Sequence, residues 1–215
     1  MRKLFLSSIF EEVEQLFVQF VNENLGSIEN IKGKKMEIIS TAALVEKGAE
    51  TLIKEAEKIY MKMGLDVGIL ELTEDTEKNI KERIKKTDFL HISGGNTFFL
   101  LQEIKKKNLT EFLVNRINEG MVYVGESAGT VVTCPDIFYV DDMENTFLAP
   151  ELENTKGLNL IPFYPLPHYQ NEPFAEIVDK TLIKYDCKLK LFPFSNNEAI
   201  IINGEEMDVV TLHKI

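Results

Sequence analysis

The sequence predicts an α/β fold, a doubly wound and mostly parallel sheet in a single domain. Short apolar runs alternate with segments of helical periodicity from the start to about residue 130, the pattern of right-handed βαβ crossovers. One run, Met121-Val122-Tyr123-Val124, is apolar throughout, as strands buried on both faces are. A length of 215 residues, 44% of them hydrophobic, supplies one such core and little more.

The elements follow in order. Residues 3 to 7 read as a strand, and 11 to 22 as an amphipathic helix with Val13, Leu16, Phe17, Phe20 and Val21 on one face. A strand at 34 to 40 precedes a helix at 46 to 63, whose stripe includes Leu52, Ile53, Ala56, Ile59, Tyr60 and Met63 and which stops at Gly64. A strand at 65 to 70 leads to a charged helix at 74 to 86, anchored by Ile80 and Ile84. The strand Asp88 to Ile92 runs into Ser93-Gly94-Gly95-Asn96-Thr97, after which a helix resumes, and another covers 110 to 118. Beyond the apolar run at 121 to 124, proline and asparagine cluster. A helix at 172 to 185 is followed by strand-like segments at 188 to 192, 198 to 202 and 207 to 212, with a hairpin turn at Asn203-Gly204.

Charge and cysteine content exclude several function classes. The net charge of −11 would repel a phosphate backbone, so nucleic acid is not an expected partner. Two cysteines, Cys134 and Cys187, make neither a disulfide framework nor a C-x-x-C site, which suits a reducing cytoplasm. The apolar start at Leu4 to Phe10 is ended by Glu11 and Glu12 with no small-residue cleavage site, so it reads as a strand rather than a signal peptide. No stretch approaches the roughly 18 apolar residues that span a bilayer, so a membrane is not expected either.

Gly125-Glu126-Ser127-Ala128-Gly129 directly follows the apolar strand and precedes the Val131-Val132 stretch. G-x-S-x-G in a strand-turn-helix setting is a nucleophile elbow: the sharp bend lifts the serine oxygen above the sheet, next to backbone N–H groups that can hold an oxyanion. The serine needs a base, and the chain has three histidines. His91 lies within a strand and reads as a hydrogen-bonded core residue, and His213 is two residues from the C-terminus. His168 follows Tyr164-Pro165-Leu166-Pro167, a loop stiffened by two prolines, and is the expected general base. Two acids can orient the imidazole: Asp142 in the acidic stretch at 141 to 144, and Glu198 at the opening of a late strand. Spacing leaves both open. The Gly94-Gly95 turn lacks the lysine of a P-loop and the G-x-G-x-x-G spacing, so no nucleotide cofactor is expected. Its position at the sheet's carboxyl edge suits Gly94 or Gly95 as an oxyanion donor beside the N–H of Ala128. The same turn serves as a helix cap at Asn96 or Thr97.

Together, S-G-G-N-T at 93 to 97, G-E-S-A-G at 125 to 129 and P-H-Y at 167 to 169 resemble the aspartyl dipeptidase (peptidase E) family of serine peptidases. The resemblance extends over essentially the whole chain. It implies a flavodoxin-like sheet related to class I glutamine amidotransferases, with serine replacing their cysteine, and hydrolysis of small peptides at the N-terminal residue without metal or cofactor. Matched motif by motif, Ser127 resembles the family's nucleophile and His168 its base. Glu198 matches the late acid of a Ser-His-Glu triad, and Asp142 matches another functional acid. Gly95 and Ala128 would supply oxyanion N–H groups. The family's preference for N-terminal aspartate demands a cation near the bound side chain, yet Arg2, Arg83 and Arg116 all lie away from these motifs in sequence.

The expected activity is therefore a serine peptidase acting on dipeptides or small peptides, as a monomer or homodimer. An esterase-like acyl hydrolase would use the order Ser, Asp, His and so require Asp142. A non-catalytic binding protein on the same scaffold is the third reading.

Overall fold

A computed structural model describes residues 1–212; His213 lies outside the described residues. Seven strands form one sheet: β1 (Lys3–Ser7), β2 (Lys35–Ile39), β3 (Asp66–Leu70), β4 (Phe89–Ile92), β5 (Val122–Glu126), β8 (Glu198–Asn203) and β9 (Glu206–Thr211). Their order is β3-β2-β4-β5-β1-β8-β9. The first five in that order are parallel, while β8 and β9 extend the sheet as an antiparallel hairpin. The expected mostly parallel α/β sheet is the one observed.

Alternation along the strands sorts the core onto two faces. Phe5, Ile38, Phe89, Val122 and Val124 point to one side and pack under α1 (Glu14–Leu25) and α2 (Glu50–Lys62). Leu4, Leu6, Ile39, Leu90, Ile92 and Tyr123 point to the other. There they meet α3 (Glu77–Lys85), α4 (Thr97–Lys106), α5 (Thr110–Asn118) and α7 (Ala175–Tyr185). The four-residue α6 (Ala128–Val131) follows β5 directly. Every residue of β5 is buried, as the continuous apolar run requires of a strand between β4 and β1. Among the described residues no helix is long and apolar enough to cross a membrane.

Several boundaries differ from the sequence reading. The helix expected from 46 becomes α-helical only at Glu50, and the chain before it forms a 3-10 turn at Thr41–Val45. The hairpin loop centres on Gly204-Glu205, because Asn203 still pairs with Glu206. The 164 to 167 stretch, read as a loop, contains β6 (Tyr164–Leu166). It pairs in parallel with β7 (Leu191–Pro193), in a small separate sheet. Proline is admissible there because strands in a two-stranded ribbon each have a free edge. This arm positions half of the site.

Candidate active site

Three strand ends converge at the carboxyl edge of the sheet: β4 into Ser93-Gly94, β5 into Ser127, and β1 into Ser7-Ser8. Ser127 has φ 46° and ψ −103°, a conformation that costs a residue with a Cβ about 1–3 kcal/mol. Neighbouring hydrogen bonds hold it there. The Ser127 N–H donates to the Ser7 carbonyl at 2.9 Å, and Thr130 Oγ1 lies 2.9 Å from the carbonyls of both Ser7 and Gly125. The Thr130 and Val131 N–H groups donate back to the Ser127 carbonyl. Gly129 is a steric necessity, since a Cβ there would lie 2.0 Å from the Ile92 carbonyl oxygen. The glycines of the motif let the first turn of α6 lie against β4. Ser127 itself remains partly exposed.

The expected base meets the serine. His168 Nε2 lies 2.9 Å from Ser127 Oγ, although 41 residues separate them. The imidazole is 7% exposed and stacks on Phe174 with ring centroids 4.7 Å apart. The His168 N–H donates to Ser8 Oγ at 3.0 Å. Burial holds the imidazole below its ordinary value of 6.5, while its bond to Asn196 and the carboxylates of Glu126 and Glu12 pull the other way. A neutral imidazole is the form that can take a proton.

Neither expected acid reaches this ring. His168 Nδ1 lies instead 3.0 Å from Oδ1 of Asn196, which is also 7% exposed. Glu198 folds into its own turn: Oε2 accepts from the Ser195 N–H and hydroxyl, both at 2.7 Å, and Oε1 faces Thr211. Asp142 is exposed and pairs with Lys184 of α7 at 2.6 Å. An esterase-type order through Asp142 thus has no geometric support. The register of the small sheet explains Asn196. Pairing of Tyr164 with Leu191 and Leu166 with Pro193 sends His168 and Asn196 out of the same end side by side. The Tyr169 N–H extends the pairing to the Phe194 carbonyl at 3.0 Å.

The proposed oxyanion donors also converge. A Cβ built on Gly94 would lie 3.4 Å from that of Ser127. Gly95 has φ 135° and sits so close to the preceding layer that a Cβ would lie 2.1 Å from the Ala42 carbonyl oxygen. Among the described residues the N–H groups of Gly94, Gly95 and Ala128 donate to no protein acceptor. Asn96 caps α4, its Oδ1 accepting from the Phe99 N–H at 2.9 Å. Thr97 binds the Glu144 carboxylate through both its N–H and its hydroxyl at 2.5 Å, and burial pushes that carboxyl up to about 7.

His91 is a core residue. It is fully buried beneath the elbow, with Nδ1 2.9 Å from the Tyr60 hydroxyl and Nε2 3.5 Å from the Glu126 carboxylate. Among the described residues no group of three or more His, Cys, Asp or Glu side chains could hold a metal ion.

The sequence and fold that build this site have counterparts among known proteins. The model of peptidase family S51 matches residues 5–210. The chain belongs to peptidase family S51. This S51 peptidase is 39% identical over 207 residues to the uncharacterized peptidase Lmo0363 of Listeria monocytogenes, covering 96% of this chain and 97% of that one. It is 36% identical to the uncharacterized peptidase PM1590 of Pasteurella multocida, over the full length of both. A candidate peptidase E protein from Listeria monocytogenes EGD-e, solved at 1.5 Å, superposes with a TM-score of 0.91 at 38% identity, over 99% of this chain and 100% of that one. Family membership makes the protein a serine-type peptidase, and the peptidase E α/β fold expected from its motifs is present.

Two parts of the candidate site escaped sequence reasoning. Asn196 sits two residues before Glu198, and an amide carries none of the signal that draws attention to a carboxylate. The Ser7-Ser8 pair at the end of a buried strand was the available hint that the loop after β1 belongs to the site.

Proposed function

We propose that the protein hydrolyses dipeptides or small peptides at the N-terminal residue, with Ser127 as nucleophile, His168 as general base and Asn196 as the group that orients the imidazole. The observation that carries this reading is the 2.9 Å approach of Ser127 Oγ to His168 Nε2. His168 Nε2 takes the hydroxyl proton as Oγ attacks the scissile carbonyl. The carbonyl oxygen becomes an oxyanion facing the uncommitted N–H groups of Ala128 and Gly94 or Gly95. The imidazolium then protonates the leaving amine. Water, deprotonated by the same nitrogen, releases the acyl group from Ser127.

Charge around the site bears on the substrate. Glu12 and Glu126 lie close enough to raise the proton affinity of His168, and Glu46 and Glu144 flank Asn96 and Thr97. Arg2 binds the Leu160 carbonyl, Arg83 pairs with Glu37, and Arg116 with Glu119. This field favours a free α-amine and a neutral or basic first side chain over aspartate. Unpaired Cys134 and Cys187 accord with a cytoplasmic setting.

A dipeptide panel with varied first residues, run beside Ser127→Ala, tests the reading. Cleavage that favours neutral or basic first residues and vanishes in the variant is expected. Turnover that survives Ser127→Ala would remove the mechanism.

A further inference from the structure

The loop after β1 touches all three segments that build the site. Ser8 Oγ accepts from the His168 N–H at 3.0 Å and lies 3.2 Å from the Ser195 carbonyl. The Phe10 N–H donates to Glu126 Oε1 at 2.8 Å, beside the nucleophile. Glu12 Oε1 lies 3.2 Å from Asn196 Nδ2. The last contact has a chemical consequence. An asparagine amide has two unlike ends, and which one faces a neighbour is set by its hydrogen-bond network. A carboxylate offers only acceptors, so Glu12 can engage only the NH2 end of Asn196. Oδ1 is thereby turned to His168 Nδ1, which must be the protonated ring nitrogen, and Nε2 is left with a lone pair facing Ser127 Oγ. The reversed amide would present its NH2 to Nδ1, favour the Nε2–H tautomer and leave the serine without a base.

We propose that Glu12 is a positioning residue that fixes the Asn196 amide in one orientation and, through it, the Nδ1–H tautomer of His168. Unlike a triad acid, Glu12 never touches the imidazole. It acts through a neutral amide from an exposed position on the opposite side of Asn196. The backbone of Asn196 is separately anchored, its N–H donating to Asn171 Oδ1 at 2.9 Å, so the side-chain amide is the part left for Glu12 to orient.

The inference rests on the Ser127–His168 reading for its catalytic meaning, but its test does not depend on turnover. The tautomer of His168 is read from long-range 1H–15N spectra of the intact protein above neutral pH, its signals assigned by their loss in His168→Gln. Unmodified protein is expected to show Nδ1–H. Glu12→Gln retains an acceptor for the Asn196 NH2 and is expected to keep that tautomer. Glu12→Lys donates to Oδ1, reverses the amide and is expected to shift His168 toward Nε2–H. Labelling of Ser127 by a fluorophosphonate probe should then slow by about 100-fold or more in Glu12→Lys, as a wrong-tautomer base does, and by roughly threefold in Glu12→Gln. Thermal melts of the variants, expected to match the unmodified protein at this exposed position, separate unfolding from reorientation. An Nε2–H tautomer in the unmodified protein, or the same tautomer in Glu12→Lys, overturns the proposal. Failure of the probe to label unmodified protein would instead overturn the acyl-transfer reading and leave the tautomer result standing.

Discussion

His168 Nδ1 and Asn196 Oδ1 meet at 3.0 Å because they leave the same end of a two-stranded parallel sheet. An amide at this position orients an imidazole without placing a formal charge against it, whereas a carboxylate would also stabilise the imidazolium. Asn196→Ala should therefore lower the fluorophosphonate labelling rate by about 100-fold. Glu198→Gln should retain most of it, because the Glu198 contacts are to its own turn and to Thr211. Second-order labelling rates for both variants check the assignment; a larger loss in Glu198→Gln would return the orienting role to the acid.

The strain at Ser127 predicts a stability gain on removing its side chain. Glycine adopts this backbone region without a Cβ penalty, so Ser127→Gly should stabilise the fold by about 1 kcal/mol. Ser127→Ala keeps the Cβ and should stay within about 1 kcal/mol of the unmodified protein. Urea unfolding of the two variants measures the difference, and equal midpoints would show the elbow to be relaxed.

Burial of His168 sets the pH dependence. The imidazole is held below 6.5, so the neutral base persists into mildly acidic solution. The labelling rate should therefore fall on acidification with its inflection below 6.5. The stability effect has a matching sign. Between the folded and unfolded values the unfolded chain binds more protons, so this group makes stability rise with pH in that window. An inflection above 6.5 would contradict the burial argument.

Glu144 gives the opposite slope. Its carboxyl rises from 4.5 to about 7 in the folded protein, so there the native state binds more protons than the unfolded chain. The stabilisation is complete below 4.5 and is lost as pH rises through about 7. Glu144→Gln can keep the contacts to Thr97 without a buried charge, so it should melt higher than the unmodified protein at pH 8. Its gain should shrink on acidification. Melting temperatures across that range decide it.

Most of the sheet could be read from the sequence because its strands are apolar runs and its helices carry long stripes; β5 and α2 are examples. The elbow was legible for a local reason: glycine, serine and glycine at fixed offsets behind a buried strand leave few alternatives. His168 stands out only because His91 lies within a strand and His213 close to the C-terminus, and Pro165 and Pro167 mark its loop without revealing that part of it is a strand. Asn196 was not legible. Its place depends on the pairing of two three-residue strands, too short to announce themselves by periodicity, and on a carboxylate two residues away that turns inward. Glu12 and Ser8 lie more than 150 residues before the groups they hold, a relationship only the tertiary fold creates.

The two-stranded arm that carries His168 and the bend at Ser127 are moored to adjacent residues at the end of β1, the His168 N–H on Ser8 Oγ and the Ser127 N–H on the Ser7 carbonyl. Substitutions that shift this short stretch of chain would therefore move the base and the nucleophile together. Engineering on this scaffold has one common anchor to preserve before either side chain is altered.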